Sequence, residues 1–283
     1  MDLTKSTSSL RGISLLETLA AMSITAVIAA SAFQLFHQNE RLFRDQALIL
    51  EMQQSARVIV AQVAEDVRRA GQSIPPGLTD VILPGSGSTR INLRSSPGAV
   101  EANVVSSLPL PFMIGTASTV AVDTTSGLTT GRQAFVWAET AWVRATIESV
   151  SAASRSVRLT PTAASSPPLE FAVPPVLSLD EGVAIFWDAT TRTIRRTTTS
   201  NTENPTNPVW APANELVANV AALTFAYLDA DGTSVNTDTP ENSSRVRGID
   251  VRVVVRASAP LSDNSRPTYS LSSRAVPRNM ALR

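Results

Sequence analysis

The feature of this 283-residue chain that most constrains its fold is a long stretch, residues 13–70, that contains neither glycine nor proline. These two residue types interrupt α-helices, and their absence allows one helix of about 58 residues and roughly 87 Å. Gly71 follows directly as a residue suited to ending a helix, and the prolines at 75 and 76 forbid continuation. The sequence predicts one helix from about Ile13 to Ala70, with a break into two helices near residues 38–39 as the alternative.

The predicted helix has two chemically different halves. Residues 18–36 carry no charged side chain, and their helical length of roughly 28 Å is close to the thickness of one hydrocarbon core. From His37 onward, apolar residues recur on a single helix face, with arginine, acidic and glutamine residues opposite: Leu42, Ile49, Met52, Ala56, Ile59, Val63, Val67 and Ala70. We therefore predict a transmembrane half, residues 13–36, and an amphipathic half, residues 37–71, that packs on a soluble domain.

Residues 72–283 have the pattern of a β-rich globular domain. Short strand candidates lie at 90–94, 118–123 and 155–160, and longer segments at 132–150 and 183–199 are typical of hairpins. Asp231-Gly232 predicts a type I′ turn after the alternating apolar residues of 222–228. In 247–258, alternate residues are apolar, which indicates a half-buried antiparallel strand. The predicted fold class is α+β, a long N-terminal helix packed on an antiparallel β-sheet-rich domain.

The composition excludes several kinds of chemistry. The chain has no cysteine, and His37 is its only histidine, so Cys nucleophiles, Cys/His zinc sites and histidine-based triads are ruled out of the globular part. Lys5 is the only lysine, and the formal net charge of zero argues against nucleic-acid binding. We predict no catalytic, cofactor-binding or metal site, and no enzyme activity. A membrane-tethered periplasmic binding or enzymatic domain remains an alternative.

Two smaller motifs have ordinary structural interpretations. The acidic run 229–231 before Gly232 resembles part of a calcium loop, but it sits in a strand-like segment and predicts a hairpin turn. The charged residues Glu65, Asp66, Arg68 and Arg69 at the helix end predict a solvated face.

Glu17 is a single carboxylate at the start of the apolar span, and three interpretations compete for it. The first is a secretory signal peptide cleaved after residues 30–32, Ala-Ser-Ala. The second is an uncleaved anchor in which Glu17 completes a capping box with Ser14. The third is cleavage between Gly12 and Ile13, which places the new amine of Ile13 one helical turn from Glu17. A lone carboxylate in apolar surroundings costs about 2–3 kcal/mol, and an amine from a neighbouring subunit would offset this.

Gly12, followed by Ile13-Ser14-Leu15-Leu16-Glu17 and an unbroken apolar stretch, resembles the prepilin signature of type IV pilins and type II secretion pseudopilins. The resemblance implies a leader peptide, residues 1–12, removed by an inner-membrane prepilin peptidase that also methylates the new amine. It further implies that Gly12 is the cleavage-site residue, Ile13 the processed N-terminus and Glu17 the assembly carboxylate. Most family members begin with Phe rather than Ile, and many major pilins have a helix proline that this chain lacks.

Weaker similarity extends over residues 42–71, 219–232, 245–257 and 277–283, which look like the corresponding parts of PilW-like minor pilins and pseudopilin J. The resemblance implies a minor pilin that initiates assembly of a type IV pilus, with the pilus tip as one location. A pseudopilin J-type subunit of a type II secretion system is the nearest alternative. Implied partners are other minor and major pilins, the prepilin peptidase, the inner-membrane assembly platform and, before assembly, membrane lipid. The implied location is a single-pass inner-membrane protein with a periplasmic C-terminal domain.

Overall fold

A computed structural model describes residues 15–76, 78, 80–166, 169–200, 202 and 209–277. In these residues a long helix, α1 (Leu15–Arg69), precedes a β-rich region with one short helix, α2 (Pro240–Arg245). The strands are β1 (Arg90–Arg94), β2 (Glu101–Asn103), β3 (Leu110–Phe112), β4 (Ser118–Ala121), β5 (Gln133–Ala138), β6 (Ala141–Ser151), β7 (Ser156–Ala164), β8 (Leu169–Phe171), β9 (Val176–Leu179), β10 (Gly182–Asp188), β11 (Thr193–Thr199), β12 (Asn214–Val217), β13 (Val220–Leu228), β14 (Ser234–Val235), β15 (Gly248–Arg256) and β16 (Thr268–Ala275). All strand pairings are antiparallel among the described residues, which confirms the α+β class.

The helix α1 is continuous over 55 residues, so the two-helix alternative is wrong. Hydroxyl groups within its apolar half donate back to carbonyls three or four residues earlier, which satisfies them inside the helix itself: Thr18, Ser23, Thr25 and Ser31. The helix ends before Gly71, whose φ of 81° is in the left-handed region. The Gly71 amide donates to the Arg94 carbonyl oxygen at 2.9 Å, which attaches the helix end to β1.

Two four-stranded sheets share one hydrophobic core with the second half of α1. Their strand orders are β1-β10-β11-β12 and β14-β13-β15-β16. The helix contacts β15 and β16, and its buried side chains run from Met52 to Val67. In β15 the alternating residues from Ile249 to Val255 are buried in this core, as the apolar alternation predicted. We refer to these two sheets and the helix end as the base.

Between β1 and β10 the chain forms a second structure with its own core. A six-stranded sheet has the order β2-β9-β5-β6-β7-β4. A β-bridge between Val104 and Val122, the residues that directly follow β2 and β4, joins the two edges of this sheet. The bridge closes the sheet into a barrel, and β6 carries two register shifts of the kind that bend barrel strands. The chain enters the barrel after β1 and leaves it before β10, and these two strands pair with each other. We call this junction of barrel and base the neck.

The predicted hairpins are present, but one turn differs from its predicted type. A type I′ turn at Asp231-Gly232 requires a positive φ at both residues, and of the two only Gly232 has one, at 77°. Instead, Asp229 organises the loop, because its carboxylate accepts hydrogen bonds from the amides of Asp231 and Thr233 at 3.1 and 2.9 Å. The type I′ prediction is wrong, whereas the hairpin turn itself is confirmed.

Candidate functional site

The first half of α1 extends away from the base, and none of the described residues covers it. Every residue from Leu15 to Arg44 is exposed, which corresponds to about 45 Å of uncovered helix. Leu15 and Leu16 are 82% and 80% exposed. In the described part of the chain, this helix alone has the length and apolar composition to cross a membrane. Apolar surface of this extent marks contact with lipid or with another protein.

Glu17 lies in the first turn of α1 as the structure describes it. It lies between Leu16 and Thr18, with leucines and alanines on either side of these, so the carboxylate is placed at the beginning of the uncovered apolar surface. Gly12 and Ile13 lie outside the described residues, and the pairing of Glu17 with a processed Ile13 amine stays a prediction.

A second apolar stripe continues along the amphipathic half of α1. Phe36, Phe43 and Leu50 recur at intervals of seven and are 74%, 71% and 59% exposed. Around the helix axis, at 3.6 residues per turn, these three side chains lie within about 40° of one another. Met52 and its buried neighbours lie on the opposite side of the helix, about 180° away. We call Phe36, Phe43, Leu50 and the similarly directed Val58 the open stripe. The face opposite the packed one, predicted to carry arginine, acidic and glutamine residues, therefore also carries these exposed apolar side chains.

The open stripe changes what the helix can bind. Apolar residues spaced seven apart stay on one side of a helix, where they can contact a second helix that runs alongside at a shallow angle. The stripe begins at Phe36, where the membrane-length segment ends, so exposed apolar side chains recur along the helix from Leu15 to Val58. The packed face starts later than predicted, since Leu42 is exposed and Ile49 is only half-buried. The helix thus has one face that packs on the base and one face that the described part of the chain leaves uncovered.

Polar contacts fix the packed face of α1 to the base. Asp66 is buried, and the Arg196 guanidinium binds both of its oxygens, with Nε–Oδ2 and Nη2–Oδ1 distances of 2.9 and 3.2 Å. The prediction of a solvated Asp66 is wrong, because its partner is 130 residues away in β11. Further up the helix, the β15–β16 loop binds Asp45 through the Ser262 amide at 3.1 Å.

Substitutions on the two faces of α1 are expected to have opposite effects. Met52→Arg places a charge in the base core and should lower the free energy of unfolding by about 3 kcal/mol or more. Leu50→Arg, two residues away on the open stripe, should change it by no more than about 0.5 kcal/mol. Urea unfolding of both full-length variants in detergent micelles measures the difference. Equal destabilisation by the two substitutions would contradict the assignment of the faces.

The neck contains a cluster of four charged side chains, two of which are buried. Arg94 at the end of β1 is 1% exposed and Asp180 before β10 is 0% exposed. The Asp180 oxygens lie 3.3 Å from Nε of Arg94 and 3.2 Å from Nε of Arg144, and a second carboxylate, Asp80, lies 2.7 Å from Nη1 of Arg94. Both guanidinium groups also lie over the Phe135 ring. We call Arg94, Arg144, Asp180 and Asp80 the neck cluster.

The neck cluster connects the helix end to the barrel. Ser95, next to Arg94, donates its hydroxyl to the Arg69 carbonyl oxygen at 3.1 Å and its amide to the Glu181 carbonyl oxygen at 2.9 Å. Sequence reasoning missed these residues because Arg94 and Asp180 are far apart in the chain and neither belongs to a recognisable motif. The closest indication in the sequence is that the strand candidate 90–94 ends in an arginine, Arg94. Among the described residues, no group of three or more acidic or histidine side chains could hold a metal ion.

Comparison of the chain with protein-family models, with curated proteins and with solved structures finds no match. The features that bear on function are therefore those of the chain itself: the uncovered apolar half of α1, the carboxylate of Glu17, the open stripe and the neck cluster.

Proposed function

We propose that this protein is a minor pilin that is inserted in the inner membrane and then enters a type IV pilus, where it starts fibre assembly. The observation that carries the proposal is the uncovered apolar helix, about 45 Å long, that projects from a folded β-rich base. An anchor needs only the membrane-length segment. The open stripe extends the apolar surface beyond it and fits a helix that also packs along other helices.

The proposed mechanism uses the helix in two environments. Before assembly, residues 15–36 lie in lipid, and the internally bonded hydroxyls of this segment remain satisfied there. On extraction, the apolar surface is transferred from lipid to the helices of neighbouring subunits. The open stripe would then add contacts with neighbouring helices beyond residue 36, outside the segment that was in lipid.

Glu17 would determine the register between subunits. Paired with the amine of a processed Ile13 at about 4 Å and an effective dielectric constant near 20, the carboxylate gains about 4 kcal/mol before desolvation is subtracted. Much of that gain is cancelled by removing both charges from water. The pairing therefore favours one axial position over others more than it strengthens association, because a shifted helix leaves a charge in apolar surroundings.

Replacement of Glu17 by alanine tests this function. Glu17→Ala should leave membrane insertion intact, because it removes a charge from an apolar segment, yet reduce recovery of the protein in sheared fibres to background. Glu40→Ala is the matched control, since Glu40 is an exposed helix carboxylate outside the apolar span. Immunoblots of membrane and sheared fractions give both quantities.

The outcomes distinguish the proposed function from the two alternative functions. Normal recovery of Glu17→Ala in fibres would rule out the register role. Absence of the unaltered protein from surface fibres, together with loss of protein secretion when its gene is deleted, would favour a pseudopilin of a type II secretion system. Absence from any assembly would favour a tethered periplasmic domain.

A further inference from the structure

The neck cluster borders a cavity of about 340 Å³ that none of the proposed assembly contacts use. It lies between the segment preceding β1, the barrel strand β6 and the short helix α2. Its apolar wall consists of Ile82, Leu83 and Pro84, and its polar lining includes Arg94 and the hydroxyl side chains of α2 and the residues before it. The volume is at the lower end of the range for small-molecule sites, and the mixture of apolar walls with a few polar groups is typical of them.

The polar groups of the cavity mainly offer hydrogen-bond acceptors. The Thr237 hydroxyl donates to the Ser86 carbonyl oxygen, and the Ser243 hydroxyl donates to the Thr237 carbonyl oxygen. Because both protons are used within the protein, the two hydroxyl oxygens remain available as acceptors. Oδ1 of Asp80 is buried and accepts no hydrogen bond within the described part of the chain. A buried acceptor without a donor costs about 1–3 kcal/mol, which a ligand with O–H groups would relieve.

The charges around the cavity argue against an ionic ligand. The two arginines of the lining, Arg94 and Arg144, are paired with Asp80 and with Asp180 behind the wall, so these four charges cancel and little attraction remains for an anion. The further carboxylate of the described lining, Asp238, is exposed at the entrance, where solvent screens its attraction for a cation. Neutral ligands are the class that this balance favours.

We infer that this cavity binds one neutral sugar residue. A sugar ring supplies several hydroxyl donors for Asp80, Thr237 and Ser243, and its C–H face suits the wall formed by Ile82, Leu83 and Pro84. The exposed lining residues Gly85, Asp238 and Thr239 form the entrance. The inference does not depend on the proposed role in a pilus, because it uses residues of the base and barrel only.

Saturation-transfer NMR on the full-length protein tests this site. The protein is kept in a zwitterionic detergent without a sugar headgroup, and glucose, galactose, mannose and N-acetylglucosamine are the probes. At least one should bind saturably with a dissociation constant of about 1 mM or tighter. Asp238→Phe, which fills the entrance, should weaken that binding by at least about tenfold. Asp231→Phe, in the nearby exposed turn, is the matched control and should leave it unchanged.

Three results would overturn the inference. The first is no saturable binding of any of the four sugars to a protein whose unfolding transition shows that it is folded. The second is saturable binding of inorganic phosphate or of a primary amine but of no sugar. The third is sugar binding that Asp238→Phe leaves unchanged, which would place the sugar elsewhere.

Discussion

Asp180→Ala is expected to lower the free energy of unfolding by about 3–5 kcal/mol, because it leaves the buried Arg94 and the partly buried Arg144 without their shared carboxylate. Asp180 lies within 3.3 Å of Arg94 and 3.2 Å of Arg144, and it is completely buried. Removing one member of such a cluster leaves uncompensated charge in a medium where water cannot enter freely. Chemical unfolding of the full-length protein in micelles, followed by tryptophan fluorescence, measures the change.

The control is a second Arg–Asp pair at the surface. Asp250 binds the exposed Arg274 through two hydrogen bonds of 2.7 and 2.9 Å, and this contact lowers the pKa of the Asp250 carboxyl. Because solvent screens the pair, Asp250→Ala should lower the free energy of unfolding by no more than about 1 kcal/mol. Arg94→Met added to Asp180→Ala should recover part of the lost stability, since it removes one of the two positive charges that Asp180 balanced. Equal costs for Asp180→Ala and Asp250→Ala would show that the neck cluster has no special energetic role.

Gly12→Val is expected to abolish processing of the N-terminus. The resemblance to the prepilin signature implies that the peptidase cleaves directly after this glycine, and valine places a β-branched side chain beside the bond to be cleaved. The retained leader contains Lys5 and Arg11, and these charges could not enter a fibre core made of packed apolar helices. Intact-mass measurement of the membrane fraction should find only the unprocessed chain, and sheared fibres should contain none of it.

Ser9→Val is the matched control for this experiment, because it makes a similar change inside the leader but outside the cleavage motif. It should be processed normally. Processing of Gly12→Val at the rate of the unaltered protein would contradict the role given to Gly12.

Local patterns in the sequence were enough to predict the helix and several strands. The absence of glycine and proline predicted α1, and the structure has it as Leu15–Arg69. Residues 90–94 are β1 as predicted, and the 132–150 hairpin is β5 and β6. Strand β16 was not predicted, because its serines and threonines alternate with only two large apolar residues, Tyr269 and Leu271.

Features that depend on distant parts of the chain could not be predicted. The barrel closes through Val104 and Val122 only after the intervening strands have paired. Asp66 looked solvated because the helix gives no sign of Arg196, which approaches it from β11. The open stripe was missed for a different reason. A single apolar face was assigned to α1, and Phe43 and Leu50 were not counted because they fall on its opposite side.

The mature N-terminus shows directly whether Glu17 has an amine partner. Pairing between subunits requires a helix that begins with an amine close to Glu17, so the protein purified from its own membrane should start at Ile13 and carry a methyl group on that amine. Mass spectrometry of the N-terminal peptide gives the answer. A chain that retains residues 1–12 in cells with an active processing peptidase, or one that starts at Phe33 after cleavage behind Ala30-Ser31-Ala32, would contradict it.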